Sequence, residues 1–188
     1  DNYFGRLVRS GFKVALVEQM ETPAQAKERG HKFIERRVVR VLTPGTLTDE
    51  NLLTPKNSNF LVAIAPIGGG VYDIAGCDIS TGEFFIGQTS DALDDLTRIN
   101  PAEVIFPFST AEEKTIKKLR DTFKSTHVYE KLYHRADIDM VVSRVFGGAV
   151  DSGVVAQNND GAICLLAGYL FNTQRDAKIT FRAPYTFK

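Results

Sequence analysis

The run NFLVAIAPIGGGVYDIAGCDISTGEFFIGQT (59–89) constrains the fold more than any other stretch of the chain. Its apolar and β-branched residues fall into three short blocks, 59–67, 71–80 and 83–89, separated only by GGG at 68–70 and TG at 81–82. Strands joined by turns this tight are consecutive antiparallel hairpins. After residue 90 the pattern changes: helical spacing at 91–99 and 110–123 alternates with strand-like EVIFP (103–107) and HVYE (127–130). Alternation of strand and helix indicates βαβ units and a parallel portion of sheet. Two more helices are expected near 136–147 and 161–172, and the second, GAICLLAGYLFN, is apolar nearly all round and therefore buried. The expected fold class is α/β, with a mixed five-stranded sheet flanked by helices.

Upstream of residue 46 lies a different unit. Phe4, Leu7 and Val8 recur at helical spacing, so 2–10 reads as the end of an amphipathic helix. KVALVEQ (13–19) is a strand, TPAQAKER (22–29) a helix with Thr22 as cap and Pro23 in its first turn, and RRVVRVL (36–42) a second strand. Strand periodicity places Arg36, Val38 and Arg40 on one face and Arg37, Val39 and Val41 on the other. TPGTLTDENLLTPKNSN (43–59), rich in Pro, Gly and small polar residues, reads as a linker.

Charge separates the same two units. Residues 1–45 hold nine Lys or Arg against five Asp or Glu, whereas 46–188 hold fourteen against eighteen, so a net charge of zero conceals a basic segment and an acidic domain. The first suits a polyanion and the second suits protein or solvent. Cys77 and Cys164 lie in apolar runs without the spacing of a metal or redox pair, and read as buried thiols in a reducing compartment. No apolar run approaches the ~18–20 residues of a membrane span, and no membrane partner is expected. The start, DNYFGRL, lacks a methionine and suggests a fragment of something longer.

The strand and helix order of 59–130 resembles the ribonuclease H-like fold, whose nucleases hold two Mg²⁺ ions with convergent carboxylates. Asp73 and Asp78 are five apart on one strand and point to opposite faces, Glu83 begins the next strand beside a turn, and no later helix offers an evidently paired inward acid, Asp137 and Asp139 being the residual candidates. A divergent metal-dependent nuclease, built on Asp78, is therefore the alternative reading and not the favoured one; no catalytic or metal-ligating residue is assigned. Gly68, Gly69 and Gly70 lack the following Lys-Ser or Lys-Thr of a phosphate loop and read as a hairpin turn. His31, His127 and His134 are too scattered for a metal site, and Ser80 and Thr81 read as turn residues.

Four strings together, LVRSGFKVALVEQMETPAQAK (7–27), RRVVRVLTPGTLTDENLL (36–53), DISTGEF (78–84) and RINPAEVIFP (98–107), resemble the MutS family of DNA mismatch-repair ATPases. The resemblance covers essentially the whole chain. It implies that residues 1–45 are the C-terminal part of the mismatch-recognition domain, 46–57 a linker, and 58–188 a connector domain with ribonuclease H-like fold but without nuclease activity, its exit segment starting at about 180. It further implies a cytoplasmic protein, no cofactor in this fragment, and ATP with Mg²⁺ in the full-length parent. The implied partners are mismatched duplex DNA, the other MutS domains and a downstream MutL-type protein.

Within that resemblance Arg36, Arg37 and Arg40 are the candidates for DNA-phosphate contact, which positions a protein without reading sequence. The competing expectation is that they pair with Glu18, Glu21 or Glu35. Phe33, Ile34 and Glu35 reproduce the phenylalanine-x-glutamate spacing of the family's mismatch reader, but that motif belongs upstream of the helix matching 2–10. Phe33 is instead expected to pack beneath the following strand. Truncation of its own domain leads to the expectation that 1–45 is poorly ordered.

Overall fold

A computed structural model describes residues 2–48, 58–129, 135–150, 161–175 and 179–187. The N-terminal unit comprises α1 (Asn2–Arg9), β1 (Val14–Gln19), α2 (Pro23–Glu28) and β2 (Arg36–Leu42). The Thr22 side chain accepts from the Gln25 amide while the Gln25 side chain accepts from the Thr22 amide, so α2 starts with a reciprocal capping box. β1 and β2 form an antiparallel ribbon over a small core of Val8, Leu42 and Leu47, with Val14 and Leu16 packed against it. Residues 2–48 thus take up regular structure.

The second unit is built on a six-stranded sheet. It contains β3 (Leu61–Gly68), β4 (Val71–Asp78), β5 (Glu83–Thr89), β6 (Glu103–Pro107), β7 (Thr126–Tyr129) and β8 (Tyr185–Thr186), in the order β7-β6-β3-β4-β5-β8. As the turns require, β3, β4 and β5 are consecutive antiparallel hairpins, and β6 and β7 join in parallel. The GGG tip has φ of +104°, +61° and +80°, a left-handed path that side chains resist and that ends in a strand, not a helix. Five strands were expected; the sixth arises because Phe181 is buried in the core and the Phe187 amide donates to the Ile86 carbonyl, which lays Tyr185–Thr186 parallel to β5. A two-residue strand carries no periodicity from which to read it.

Strand alternation divides the core in two. Ala63, Ala65, Ala75, Cys77 and Phe84 face α5 (Arg135–Phe146) and α6 (Ala162–Thr173). Val62, Ile64, Ile74 and Phe85 face α3 (Ala92–Ile99) and α4 (Lys114–Thr122). α6 is buried along most of its length, as its all-round apolar sequence demands. Cys77 and Cys164 are free and buried, and burial pushes the Cys77 thiol far above its ordinary pKa.

Asp73 is the acid placed least comfortably. It is buried beside Ile74, Ile86 and Ile163 in a cavity of about 220 Å³, with Gln88 Nε2 donating to its Oδ1 at 3.1 Å. Desolvation raises its pKa, only partly offset by Gln88. The folded state therefore holds more protons than the unfolded one, and stability declines as pH climbs from the ordinary 3.8 through the raised folded value. Asp73→Asn keeps the Gln88 bond and should remove that decline; urea midpoints at pH 4 and pH 7 that change as in the native chain would refute the assignment.

Candidate functional site

A buried carboxylate with three hydrogen-bond donors lies where the two units meet. Glu103 opens the strand EVIFP as its only charged residue, and is 1% exposed. Its Oε2 accepts from the Thr43 hydroxyl and from the Gly45 amide (3.0 Å), and its Oε1 accepts from the Tyr169 hydroxyl of α6. A buried carboxylate needs this many donors to offset the loss of water. Lys13 and His127 complete the surroundings: Lys13 Nζ lies 5.2 Å from the Tyr169 ring centroid, and His127 Nε2 is 3.8 Å from Glu103 Oε1. His127 Nε2 has no hydrogen-bond partner among the described residues. Burial lowers the pKa of His127, Lys13 lowers it further and Glu103 opposes them; burial also lowers Lys13, again against Glu103.

The TPGT break is what sits on that carboxylate. Pro44–Thr46 form a single 3₁₀ turn closed on itself, with the Thr43 amide donating to Thr46 Oγ1 at 2.9 Å and the Thr46 amide to the Thr43 carbonyl at 3.0 Å. Only glycine fits at position 45, because a Cβ there would lie 2.8 Å from Leu61 Cβ and 2.9 Å from Glu103 Cβ. Residues 43–48, expected to begin a linker, are thus packed, and Thr43 and Thr46 are fully buried; 49–57 lie outside the described residues.

Two further ties bind the same place. Asn59 Nδ2 donates to the Pro44 carbonyl (3.0 Å) and the Leu47 carbonyl (3.4 Å), while the Asn59 amide donates to Asp78 Oδ2 (2.8 Å). Arg40 donates to Gln174 Oε1 (2.7 Å), the Thr46 carbonyl (3.1 Å) and Thr48 Oγ1 (3.0 Å), and Gln174 Nε2 returns a bond to the Val41 carbonyl (3.0 Å). Three of the singled-out strings, at 36–53, 78–84 and 98–107, converge on one joint.

Comparison with known proteins puts a boundary through that joint. A family model described as MutS domain II matches residues 59–181, and one described as MutS domain I matches residues 1–51. The chain belongs to the MutS family. The DNA mismatch repair protein MutS of Rhizobium meliloti (strain 1021) is 37% identical over 194 residues, an alignment covering 98% of this chain and 21% of that protein. The chain therefore spans about a fifth of the length of this curated relative. Arg40, Thr43 and Gly45 fall in the part matched to MutS domain I; Asn59, Asp78, Glu103, Tyr169 and Gln174 fall in the part matched to MutS domain II.

The three arginines proposed from the sequence are not brought together. Arg36 and Arg37 are exposed; Arg37 lies 3.4 Å from Glu35, and Arg36 has no ion pair among the described residues. Arg40 is turned into the joint, because the ladder pairs Leu16 with Arg40 but Val17 with Val38, leaving Val39 as a bulge that resets the alternation. Burial lowers the pKa of its guanidinium, which remains a cation. Phe33 does not pack beneath β2 as expected but is 79% exposed, and Glu35 lies within 4 Å of both Arg29 and Arg37.

The acids give no support to a metal-dependent nuclease. Asp78 Oδ1 accepts from the Ser80 amide (2.9 Å) and hydroxyl (2.6 Å), so both of its oxygens hold the backbone of the turn and of Asn59. Asp73 is on the other face, Asp137 and Asp139 are exposed on α5, and among the described residues no three potential metal ligands come together. His134 lies outside the described residues. No helix among the described residues is long and apolar enough to cross a membrane.

Glu103 and Gln174 were missed by the sequence reading. The available signal was a lone carboxylate in an otherwise apolar strand, since an acid is fully buried only when it is bonded.

Proposed function

We propose that this chain is the portion of a DNA mismatch-repair protein that couples mismatched-DNA binding to a distant ATPase. Residues 1–45 end the mismatch-recognition domain, 46–57 link it onward, and 58–188 form the connector domain, a non-catalytic module that also meets a downstream MutL-type protein. ATP and Mg²⁺ act in domains outside this chain, and the whole protein works in the cytoplasm. The strand order β7-β6-β3-β4-β5, with three antiparallel hairpin strands and two parallel additions, supports a ribonuclease H-like architecture for the connector.

The observation that carries the reading is the buried joint. A flexible tether transmits little, whereas a glycine wedged against Leu61 and a carboxylate holding groups from both units move one with the other. Coupling between sites amounts to roughly 5–150-fold. In the full-length protein Gly45→Ala should therefore sharply reduce the mismatch-dependent change in ATP turnover and leave basal turnover native. An unaltered mismatch response in the folded variant would end the coupling proposal.

DNA contact has its own test. Arg36 and Arg37, exposed on the basic unit, are the phosphate candidates that the geometry supports; Arg40 belongs to the joint. Replacing Arg36 and Arg37 with alanine should lower the slope of log affinity against log salt by about 2, at ~0.9 per phosphate. Arg40→Ala should leave that slope unaltered. The reverse pattern would assign the phosphate contact to Arg40.

A further inference from the structure

We infer that Glu103 is a positioning residue, the pin of a releasable catch: the TPGT turn seats on its carboxylate as a preformed unit, Arg40 and Gln174 fasten beside it, and the β1–β2 ribbon is held at one angle to the sheet only while the seat is occupied. This deepens the coupling reading, but its physical content does not depend on it.

Three features make this a catch and not ordinary packing. First, the turn is closed by its own Thr43–Thr46 bonds, so it can leave the seat without unravelling. Second, the carboxylate divides its work: Oε2 holds the turn through Thr43 and Gly45, while Oε1 holds Tyr169 on α6. Emptying the seat thus leaves Glu103 anchored within its own domain. Third, the second fastening has no carboxylate at all. Gln174, 5% exposed at the C-terminal end of α6, answers Arg40 with its oxygen and the Val41 carbonyl with its nitrogen. Of this pair only the Arg40 bond is charge-assisted, whereas both bonds that hold the turn in the seat are, so the second fastening is the weaker one and gives way once the seat is lost.

Local composition on either side of the catch suits a swing. The ribbon has a small core of its own in Val8, Leu42 and Leu47, so it can move as one body. Lys13 and His127 flank Glu103 within the joint, with His127 Nε2 3.8 Å from Glu103 Oε1 and Lys13 Nζ 5.2 Å from the centroid of the Tyr169 ring that Glu103 holds. Glutamine at 103 is uncharged and can keep the turn on its one oxygen only by donating its amide nitrogen to the Tyr169 oxygen, so the seat loses the charge assistance of both bonds that hold the turn.

The test is a distance distribution between two spin labels in the full chain, at Glu28→Cys on α2 and Lys118→Cys on α4, both exposed positions. The native thiols, Cys77 at 0% and Cys164 at 6% exposure, stay out of reach of the label. The expected native result is one narrow peak. Glu103→Gln should widen it at least twofold, Arg40→Ala should widen it less, and Tyr169→Phe, which spares Oε2, should leave it narrow. A folded Glu103→Gln with the native width overturns the catch. Should Glu103→Gln fail to fold, Gly45→Ala decides: its methyl, 2.8 Å from Leu61 Cβ and 3.1 Å from Glu103 Oε2, blocks the seat sterically while leaving the carboxylate chemically intact, and a native width there overturns the proposal equally. A widened peak with intact mismatch-dependent ATP turnover would keep the catch and reject the coupling; a native width with lost turnover response would do the opposite.

Discussion

Replacing Phe84 with alanine is expected to destabilise the chain by about 3–5 kcal/mol, the range for removing a fully buried aromatic ring. The ring is 1% exposed and stacked on Phe146 at 4.6 Å between centroids, with Phe181 at 5.9 Å; Phe146 and Phe181 are themselves 5.0 Å apart. One side chain thus joins β5, the end of α5 and the segment leading to β8. Its loss opens a cavity between elements distant in sequence, which cannot close by a local shift because neighbouring groups are fixed by the sheet. At roughly 2–4 °C per kcal/mol for a chain of this size, the thermal midpoint should fall by about 6–20 °C. Amide exchange at Phe187, whose N–H donates to the Ile86 carbonyl, should accelerate with it. A midpoint within about 2 °C of native would mean that the aromatic cluster is not part of the cooperative core.

The Phe84 environment also shows how far the sequence could be read. That Phe84 and Phe85 point to opposite faces follows from period two alone, and the two cores confirm it. The hairpins at 59–89 and the parallel additions at 103–107 and 126–129 were equally legible, since turn residues and alternation act locally. What sequence spacing could not supply was any partner chosen at long range. Tyr185–Thr186 becomes a strand only because β5 has a free edge and Phe181 a place in the core. Arg40 was placed with Arg36 on the assumption of an unbroken pleat, and a one-residue bulge at Val39 undid the assumption. TPGT has the composition of an exposed loop, yet its two threonines bond each other and a buried carboxylate 60 and 57 residues downstream of them in the chain is what makes the turn interior. Composition reports how a segment treats water; it does not report which buried acid awaits it.

Glu103→Ala should have the second large effect, also about 3–5 kcal/mol, the cost of breaking a buried charged network by removing one member. Three donors, the Thr43 hydroxyl, the Gly45 amide and the Tyr169 hydroxyl, lose their acceptor together, and Lys13 loses its countercharge. Desolvation of the carboxylate itself is relieved, which is why the loss is smaller than three separately orphaned bonds at ~1–3 kcal/mol each would suggest. Glu103→Gln, which keeps the volume and one acceptor, should cost only about 1–3 kcal/mol. The diagnostic is the cycle with Thr43→Val, read from urea midpoints followed by circular dichroism: if the carboxylate truly seats the turn, the double variant should be less destabilised than the sum of the singles by about 0.5–3 kcal/mol. Strict additivity would show that Glu103 stabilises its own strand and helix without holding the unit that precedes it. Non-additivity would locate in a single carboxylate the point at which a strand matched to MutS domain I is made to follow a sheet matched to MutS domain II.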